Sequence, residues 1–330
     1  MANITLPNIP DISSRLWRDD ADYAHAADLV NIEALSIGLD HLATVEDVRN
    51  AYDNTASLDL RKDFVFVEID CNPVGFVLVR WWDETDGPRV YRHMCKVHPE
   101  WRNRGIGTAM LEWAIERLTE MAVEHDVGKE TVLRTDVDNF PATAADLLES
   151  FGYEATQHFA ELVRPNLDDI PEGPLPEGVE IRAVEESHLR AIHDADWEAA
   201  KDHWGHFEPG EEEWNWFIEF PHRDESLWKI AWAGDQVVGQ VRGYINKPEN
   251  EETGRKRGWC EFISTHRDYR KQGIATALIC ATLREFKERG LTDSALGVHV
   301  ENKNLALQLY TSLGFEIDSQ GATYERALEV

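Results

Sequence analysis

The sequence predicts an α/β fold of the mixed-sheet (α+β) type, arranged as two tandem domains. Each domain is expected to have a twisted, mostly antiparallel sheet with helices on both faces. Three observations support this prediction. A glycine-bearing loop followed by an apolar-striped helix occurs twice, and a shift of 168 residues carries Gly105 onto Gly273. Strand-like and helix-like stretches follow one another in a similar order around both copies. A proline-rich segment separates the two.

The first copy contains alternating apolar runs typical of strands and apolar residues three and four apart, typical of helices. An aspartate pair precedes the first helical pattern, where a cap is expected, and two acidic residues open the second. In chain order we predict a strand at 12–18, helices at 23–37 and 44–52, a hairpin of strands 64–69 and 74–79, a strand at 90–97, a helix at 105–124, a strand at 131–135, a helix at 142–150, and a closing pair of strands between 153 and 163.

The segment 165–178 is predicted to be the linker between domains 1–164 and 179–330. It contains Pro165, Pro171, Pro174 and Pro176. Proline lacks the N–H that helices and strand ladders require, so we expect this segment to be extended and exposed.

The second copy repeats the pattern, with an aromatic-rich helical region near its start. Glu211-Glu212-Glu213 suits either a helix start or a trap for an amine. The predicted elements are a strand at 179–184, helices at 188–204 and 211–220, strands at 227–233, 237–244 and 259–265, a helix after the second loop, a strand at 294–300, a helix at 303–313, and a final strand pair around 315 and 324.

Composition limits the function classes. The chain has 62 acidic against 33 basic residues, a formal charge of −29. The electrostatic field of such a negative charge repels nucleic acid and would attract cationic amines. An acidic surface that serves only solubility explains the negative charge equally well. The four scattered cysteines suggest reduced core thiols in a cytoplasmic protein. The sequence has no signal-peptide pattern and no apolar run long enough for a membrane helix, so we expect neither a nucleic-acid nor a membrane partner.

The two loops have the features of anion sites. Small residues let successive backbone N–H groups turn toward a phosphate, and the helix that follows adds its unpaired N-terminal donors. Neighbouring basic side chains add charge-assisted contacts. The candidate binding residues are Val97, Arg102, Asn103, Arg104, Gly105, Ile106 and Gly107 in the first copy, and Arg270, Lys271, Gln272, Gly273, Ile274 and Ala275 in the second.

At these loops the chain resembles the GNAT superfamily of acetyl-CoA-dependent N-acyltransferases, whose signature is (Arg/Gln)-x-x-Gly-x-(Gly/Ala). The resemblance covers nearly the whole chain as two domains, an arrangement similar to that of two-domain members of the mycothiol synthase type. It implies acetyl-CoA as the cofactor, with its diphosphate on the loops.

A second stretch, from Asn302 to Phe315, resembles the family pattern Asn, a few residues, Ala-x-x-Leu-Tyr-x-x-x-Gly-Phe. The resemblance implies that Asn302, or Asn304 because the spacing is one residue long, contacts the cofactor arm. It implies that Tyr310 is the general acid that protonates the thiolate; the alternative is a core tyrosine. The strand edge Ile263, Ser264 and Thr265 is then expected to pair with the pantetheine arm, since the fourth and fifth strands of the family diverge there.

Glu261 is the candidate general base, because it lies on the strand that lines the expected cleft. Its neighbours Trp259, Cys260 and Phe262 would raise its pKa. An outward-facing strand carboxylate is the alternative. His203 and His206 suggest a metal pair, but no further ligand pattern accompanies them, so no metal is predicted.

The first copy departs from the pattern where the second keeps it. Leu148 aligns with Tyr310 and cannot donate a proton, while His93 stands at the position of Glu261. We therefore expect the first domain to bind a CoA-type ligand with little or no transfer, although His93 can still serve as a base. The tryptophans between 197 and 216 are expected either to floor a substrate pocket or to pack the core.

Together these features predict an N-acetyltransferase. The second domain would move the acetyl group from acetyl-CoA to a primary amine, a small-molecule acceptor, by direct attack in a ternary complex. The protein is expected to be a monomer or a homodimer. A non-catalytic acyl-CoA sensor and a protein scaffold are the alternatives.

Overall fold

A computed structural model describes residues 4–125, 128–139, 142–301 and 306–329. The chain divides into two compact units. The N-terminal unit comprises residues 1–158 and 321–330, and the C-terminal unit comprises residues 159–320. This division differs from the predicted limits at 164 and 178. The last ten residues of the chain belong to the N-terminal unit, and residues 159–164 belong to the C-terminal one.

The N-terminal unit begins with a strand and three helices, followed by a hairpin and the strand that leads to the first loop. Its elements are β1 (Ile12–Leu16), α1 (Ala21–Ser36), α2 (Val45–Asp53), α3 (Leu60–Asp63), β2 (Phe64–Ile69), β3 (Asn72–Asp83), β4 (Arg89–Val97), α4 (Ile106–His125), β5 (Thr131–Asp138), α5 (Ala142–Ser150) and the first part of β6 (Glu154–Arg164).

The sheet of this unit has helices on both faces, as predicted. Every residue of the central strand β2 is buried. Phe64 and Phe66 pack on one face, against the core that includes Tyr23 of α1. Val65 and Val67 pack on the other, against α4. Because strand side chains alternate between faces, one buried strand supplies two cores. Only the β4–β5 pair is parallel among the strand pairings described in this unit.

The C-terminal unit repeats this order with shorter strands. Its elements are the remainder of β6, then β7 (Val179–Arg182), α6 (Leu189–Ala200), α7 (Glu211–Glu219), β8 (Trp228–Ala233), β9 (Gln236–Arg242), α8 (Lys247–Thr253), β10 (Arg257–Trp259), β11 (Ser264–Thr265), α9 (Ile274–Glu288), β12 (Asp293–His299), α10 (Ala306–Ser312) and the first part of β13 (Glu316–Ala327).

The strand predicted at 259–265 is two strands in the structure. β10 pairs in parallel with β12, whereas β11 pairs antiparallel with β9. Between them Phe262 has φ = +52°, a conformation that interrupts a strand. The prediction of one continuous strand was therefore wrong. The mostly apolar stretch from 259 to 263 gives no sign of the positive φ at Phe262 or of the separation from β12.

The prediction of a closing pair of strands at the end of each domain was also wrong. Each is a single long strand, β6 or β13, and β13 runs through Asp318-Ser319-Gln320-Gly321 without turning back on itself. Residues 321–327 of β13 pair with β5 in the N-terminal unit, and residues 159–164 of β6 pair with β12 in the C-terminal unit.

The proline-rich linker lacks helix and strand, as predicted, but it is not a free spacer. Leu167 is buried in the core of the C-terminal unit. Arg164 donates to the carbonyl oxygens of Asn166 and Asp168, and Arg284 of α9 donates to that of Pro171. The segment is therefore fastened along α9.

In the described part of the chain, no helix is long and apolar enough to cross a membrane. All four cysteines are free; Cys260 and Cys280 are buried, but Cys71 is exposed and is not the core thiol we expected.

The contribution of β13 to the N-terminal unit predicts the effect of a mutation at Tyr324, which is buried in that unit's core. Tyr324→Ala should lower the unfolding free energy of the N-terminal unit by about 3 kcal/mol, through lost burial and a cavity. Hydrogen exchange should show faster opening of β2 and β5 amides and unchanged protection in β8 and β9. Ile317→Ala, on an exposed part of the same strand, is the control. Equal loss of protection in both units would contradict the assignment.

Candidate functional site

The two predicted anion loops have the same backbone conformation. Asn103 and Lys271 have φ of 60° and 61°, and Gly105 and Gly273 both have φ of 85°. Each loop follows a short 3₁₀ turn that is capped by a histidine. His98 and His266 each accept a hydrogen bond from the backbone N–H two residues later, at 3.3 Å. The sequence repeat is thus a structural repeat, residue by residue.

The loops leave a run of backbone donors available. Among the described residues, no acceptor contacts the N–H groups of residues 271–275, or those of residues 103–107. In each unit a long helix, α4 or α9, begins immediately after the second positive φ. Alternating positive φ values and a helix start together turn successive N–H groups toward one point. Both loops therefore fit a diphosphate.

The arginines that open the two signatures hold the loops in place. Arg270 donates to Asp202 at 2.7 Å and to the carbonyl oxygens of Ala199 and Thr265 at 3.0 and 3.2 Å. Arg102 likewise donates to Ser36 Oγ at 2.8 Å. Both side chains tie the loop to the end of a preceding helix, so the structure gives them positioning contacts that the sequence did not predict. Lys271 and Arg104 are exposed at the loops, and Arg104 lies over the ring of Trp101.

The segment before β1 in the N-terminal unit, and the segment before β7 in the C-terminal unit, pass beside the loop glycine. A Cβ atom on Gly105 would lie 3.4 Å from Pro7, and one on Gly273 would lie 4.0 Å from the carbonyl oxygen of Pro174. A Cβ on Gly173 would meet the backbone of Ala277 at 2.8 Å. Glycine at 173 therefore allows the linker to lie directly on the first turn of α9.

Parallel strands diverge beside both loops. In the C-terminal unit the β10–β12 pairing ends at Trp259 and Ala295, with one more bond from Cys260 N–H to the Ala295 carbonyl at 2.8 Å. The chain then leaves β12, and β11 joins β9. In the N-terminal unit β4 pairs with β5 only from Arg89 to Arg92. Beyond these points, the strands of each pair are no longer joined by the ladder of main-chain hydrogen bonds. Ile263, Ser264 and Thr265, all half-buried, follow this divergence.

Glu261 lies at the divergence in the C-terminal unit. Its Oε1 accepts a hydrogen bond of 2.6 Å from the backbone N–H of Gly297 on β12. Burial raises the pKa of the carboxyl to about 7, and the Gly297 and Phe262 N–H groups oppose that rise. A Cβ on residue 297 would come 3.4 Å from the carboxylate oxygen. The Glu261 side chain as a whole is half-buried, and its carboxyl is directed toward β12.

Tyr310 lies on α10 and is 6% exposed. Burial raises the pKa of its hydroxyl, and the negative charges of Glu261 and Cys260 raise it further. Tyr310 is thus both a core residue and an electrostatic neighbour of Glu261. The two alternatives considered from the sequence are compatible. Asn302 and Asn304 lie outside the described residues.

The corresponding groups of the N-terminal unit are arranged differently. His93 is buried, and its Nε2 lies 2.9 Å from the hydroxyl of Tyr153. Burial lowers the pKa of the His93 imidazole to about 3, so it is neutral at physiological pH. Leu148, at the position that corresponds to Tyr310, is a buried core residue. In the N-terminal unit, the positions that correspond to Glu261 and Tyr310 therefore hold a neutral imidazole and an apolar side chain.

Sequence reasoning missed three residues near Glu261 in the C-terminal unit: Arg242, Asp196 and Gly297. Arg242 ends the apolar strand β9, is 6% exposed and pairs with Asp196 of α6. A charged residue closing a buried strand, and a lone glycine within β12, were the available signals. The helix start at Glu211 is confirmed, since Glu213 accepts a hydrogen bond of 2.6 Å from the Gly210 N–H.

Comparisons with known proteins agree with this geometry. The model of the Acetyltransferase (GNAT) family matches residues 33–153 and 189–315. The mycothiol acetyltransferase of Salinispora arenicola is 26% identical over 234 residues, which cover 70% of this chain and 71% of that protein.

Two solved structures resemble the whole chain. A GCN5-related N-acetyltransferase from Sphaerobacter thermophilus has a TM-score of 0.73 at 23% identity, covering 98% of this chain and 97% of its own. A tandem GNAT protein from the clavulanic acid biosynthesis pathway has a TM-score of 0.68 at 16% identity, covering 96% and 98%. At these identities the structures show a shared tandem fold.

The environment of Glu261 predicts a dependence of stability on pH. The pKa of this carboxyl rises from 4.5 in the unfolded chain to about 7 in the folded one. Between these two pH values the folded state therefore binds more protons than the unfolded state. Stability therefore falls as pH rises between these values. Glu261→Gln keeps an acceptor for Gly297 but cannot ionise. Urea unfolding should show a gain of about 2 kcal/mol for the variant at pH 8 and little difference at pH 4. A constant difference at both pH values would refute the raised pKa.

Proposed function

The chain belongs to the GNAT family of acetyltransferases and is an acyltransferase, and we propose that its C-terminal unit transfers an acetyl group from acetyl-CoA to the primary amine of a small molecule. The observation that carries this proposal is the meeting of three features in one unit. These are the free donors of residues 271–275, the strand divergence after Trp259, and the buried carboxyl of Glu261 near Tyr310.

We assign the binding of acetyl-CoA to main-chain groups. The N–H groups of Lys271, Gln272, Gly273, Ile274 and Ala275 would hold the diphosphate, with Arg270 keeping the loop in place. The edge from Ile263 to Thr265 would pair with the pantetheine arm, because the other side of this short strand is occupied by β9. When bound, acetyl-CoA supplies the acetyl group as a thioester.

The protein's own groups then move the protons. Glu261, with a pKa of about 7, takes a proton from the incoming ammonium directly or through one water, so that a neutral amine attacks. Tyr310 donates its hydroxyl proton to the departing sulfur as negative charge develops there and the C–S bond breaks, despite the raised pKa of the hydroxyl. No cysteine belongs to either loop, so we propose direct attack in a ternary complex.

The N-terminal unit is proposed to bind a CoA-type ligand without catalysing transfer. Its loop has the same conformation as the C-terminal loop, but Leu148 and the buried, neutral His93 supply neither an acid nor an accessible base. A cytoplasmic location, and a monomer or homodimer as the assembly, remain part of the same proposal.

The loop assignment predicts the stoichiometry of acetyl-CoA binding. Gly273→Glu places a carboxylate beside the diphosphate donors and strains a residue with φ of 85°. Calorimetry should show that the C-terminal site is lost and the N-terminal one kept. Gly105→Glu should do the reverse and leave turnover in place. Gly290→Glu, at a positive-φ glycine with open space beside it, is the control for strain alone. Unchanged binding in Gly273→Glu would remove the assignment.

The acid assignment predicts the effect of Tyr310→Phe. Loss of the hydroxyl should lower kcat about 10²-fold with little change in the KM of acetyl-CoA, because proton donation to the sulfur is lost. Thiol release from acetyl-CoA measures this. Tyr153→Phe, which breaks the His93 hydrogen bond in the N-terminal unit, is the matched control and should retain activity. The opposite result, with Tyr153→Phe inactive and Tyr310→Phe active, would move the chemistry to the N-terminal unit.

A further inference from the structure

Strands β4 and β5 of the N-terminal unit are joined by ion pairs after their ladder has ended. The last ladder residues are Arg92 and Arg134. Four residues farther along each strand, Lys96 and Asp138 form an ion pair of 3.7 Å. Side chains therefore bridge the two strands where main-chain hydrogen bonds do not. We call the part of β4 and β5 beyond the ladder the N-terminal split.

A second ion pair crosses the N-terminal split at its closed end. Arg92 pairs with one carboxylate oxygen of Asp136 at 2.5 Å. The other oxygen of Asp136 accepts a hydrogen bond of 2.6 Å from the hydroxyl of Thr323 on β13. Both oxygens of this carboxylate are therefore occupied, and the group is held in place between the two strands.

The pair nearer the mouth of the split is continuous with the anion loop. Lys96 donates to Glu33 of α1 at 2.8 Å, and Glu33 lies 3.7 Å from Arg102, which opens the loop signature. The side chains of Lys96 and Glu33 are only 16% and 15% exposed. Separating largely buried charges leaves each without compensation, so a ligand that displaced them would bind weakly. This row of alternating charges obstructs a chain that runs from the loop into the split.

The corresponding stretch of the C-terminal unit lacks these charges. The 168-residue repeat carries Lys96 onto Ser264, and residues 262–265 are all uncharged, so they cannot form ion pairs. The preceding carboxyl, that of Glu261, accepts its hydrogen bond from a main-chain N–H on β12. A pantetheine arm would therefore meet paired charges beside the N-terminal loop and uncharged side chains beside the C-terminal one.

We propose, building on the ligand binding proposed for the N-terminal loop, that this unit is a nucleoside diphosphate site, and that the Lys96–Asp138 and Arg92–Asp136 pairs exclude the pantetheine arm. The loop holds the diphosphate through main-chain donors, and the arm stays outside the split. The N-terminal site therefore does not distinguish acetyl-CoA, CoA and 3′-phosphoadenosine 5′-diphosphate, which is CoA without its arm. The C-terminal site gains affinity from the arm.

Calorimetry with these three ligands tests the exclusion. Gly273→Glu leaves the N-terminal site to be measured, and Gly105→Glu leaves the C-terminal one. In Gly273→Glu the three dissociation constants should agree within about threefold, because no ligand places an arm in the split. In Gly105→Glu acetyl-CoA should bind at least about tenfold more tightly than the nucleotide, through main-chain pairing of its arm. A larger preference for acetyl-CoA in Gly273→Glu would overturn the inference and keep the N-terminal ligand site.

Neutral replacements test the bridging pair itself. Lys96→Met with Asp138→Asn removes both charges at similar side-chain size. In the Gly273→Glu background, this change should tighten acetyl-CoA binding at least about fivefold and leave nucleotide binding unchanged. Lys129→Met with Asp83→Asn is the matched control and should alter neither. These two residues form an ion pair of 2.7 Å before the start of β5, whereas the split lies at its end. Unchanged acetyl-CoA affinity in a folded Lys96→Met, Asp138→Asn protein would contradict the exclusion.

Hydrogen exchange of the wild-type protein gives a reading that needs no variant. Acetyl-CoA should slow exchange at both loops, residues 103–107 and 271–275, and also at 263–265. At residues 94–97 it should have no more effect than the nucleotide. Slower exchange there with acetyl-CoA alone would place the arm in the N-terminal split and overturn the inference. If Gly273→Glu binds none of the three ligands while Gly105→Glu binds acetyl-CoA, this inference and the proposed N-terminal binding both fail, and the C-terminal assignment stands.

Discussion

The interruption of strand pairing after Trp259 is the constraint on which the rest of the C-terminal unit depends. While β10 runs beside β12, its backbone groups are satisfied by strand ladder bonds. Past Trp259 the chain leaves β12 but stays beside β9: the Arg242 N–H donates to the Glu261 carbonyl oxygen, and β11 pairs with β9 beyond the positive φ of Phe262. Each backbone group must find a partner, and the segment keeps its partners on the β9 side while it gives up those on β12. On the β12 side the carboxyl of Glu261 accepts a hydrogen bond from the Gly297 N–H.

The two units preserve the anion loops more closely than the groups beside them. A loop that binds through main-chain N–H groups depends on φ values, and both copies keep a positive φ at matching positions. The chemistry at the strand divergence depends on side chains instead, and each position there can change without altering the fold. Leu148 fills the core of the N-terminal unit, and His93 forms a buried hydrogen bond. A duplicated fold can therefore keep the loop conformation in both halves while the side chains at the strand divergence differ between them.

Burial gives Glu261 and Arg242 opposite electrostatic roles within one unit. Desolvation raises the pKa of the Glu261 carboxyl, so a group that is ordinarily ionised can exchange a proton near neutral pH. Arg242 stays charged because Asp196 compensates it and aromatic faces surround it. The high negative charge of the chain provides only a general attraction for cations.

The sequence by itself determined the features carried by local patterns. The 168-residue repeat, the order of strands and helices, and the loop glycines could be predicted because backbone conformation there depends on nearby residues. Glu261 and Tyr310 could be proposed from their positions in motifs. The tertiary structure decided which strands pair, because pairing depends on residues far apart in sequence. It showed that β13 completes the N-terminal unit, that Phe262 separates β10 from β11, and that the Arg242 guanidinium lies over rings from α7, β8 and Phe262. Burial and the pKa shifts that follow from it arise only when distant segments exclude water together, and no local pattern in the chain records that.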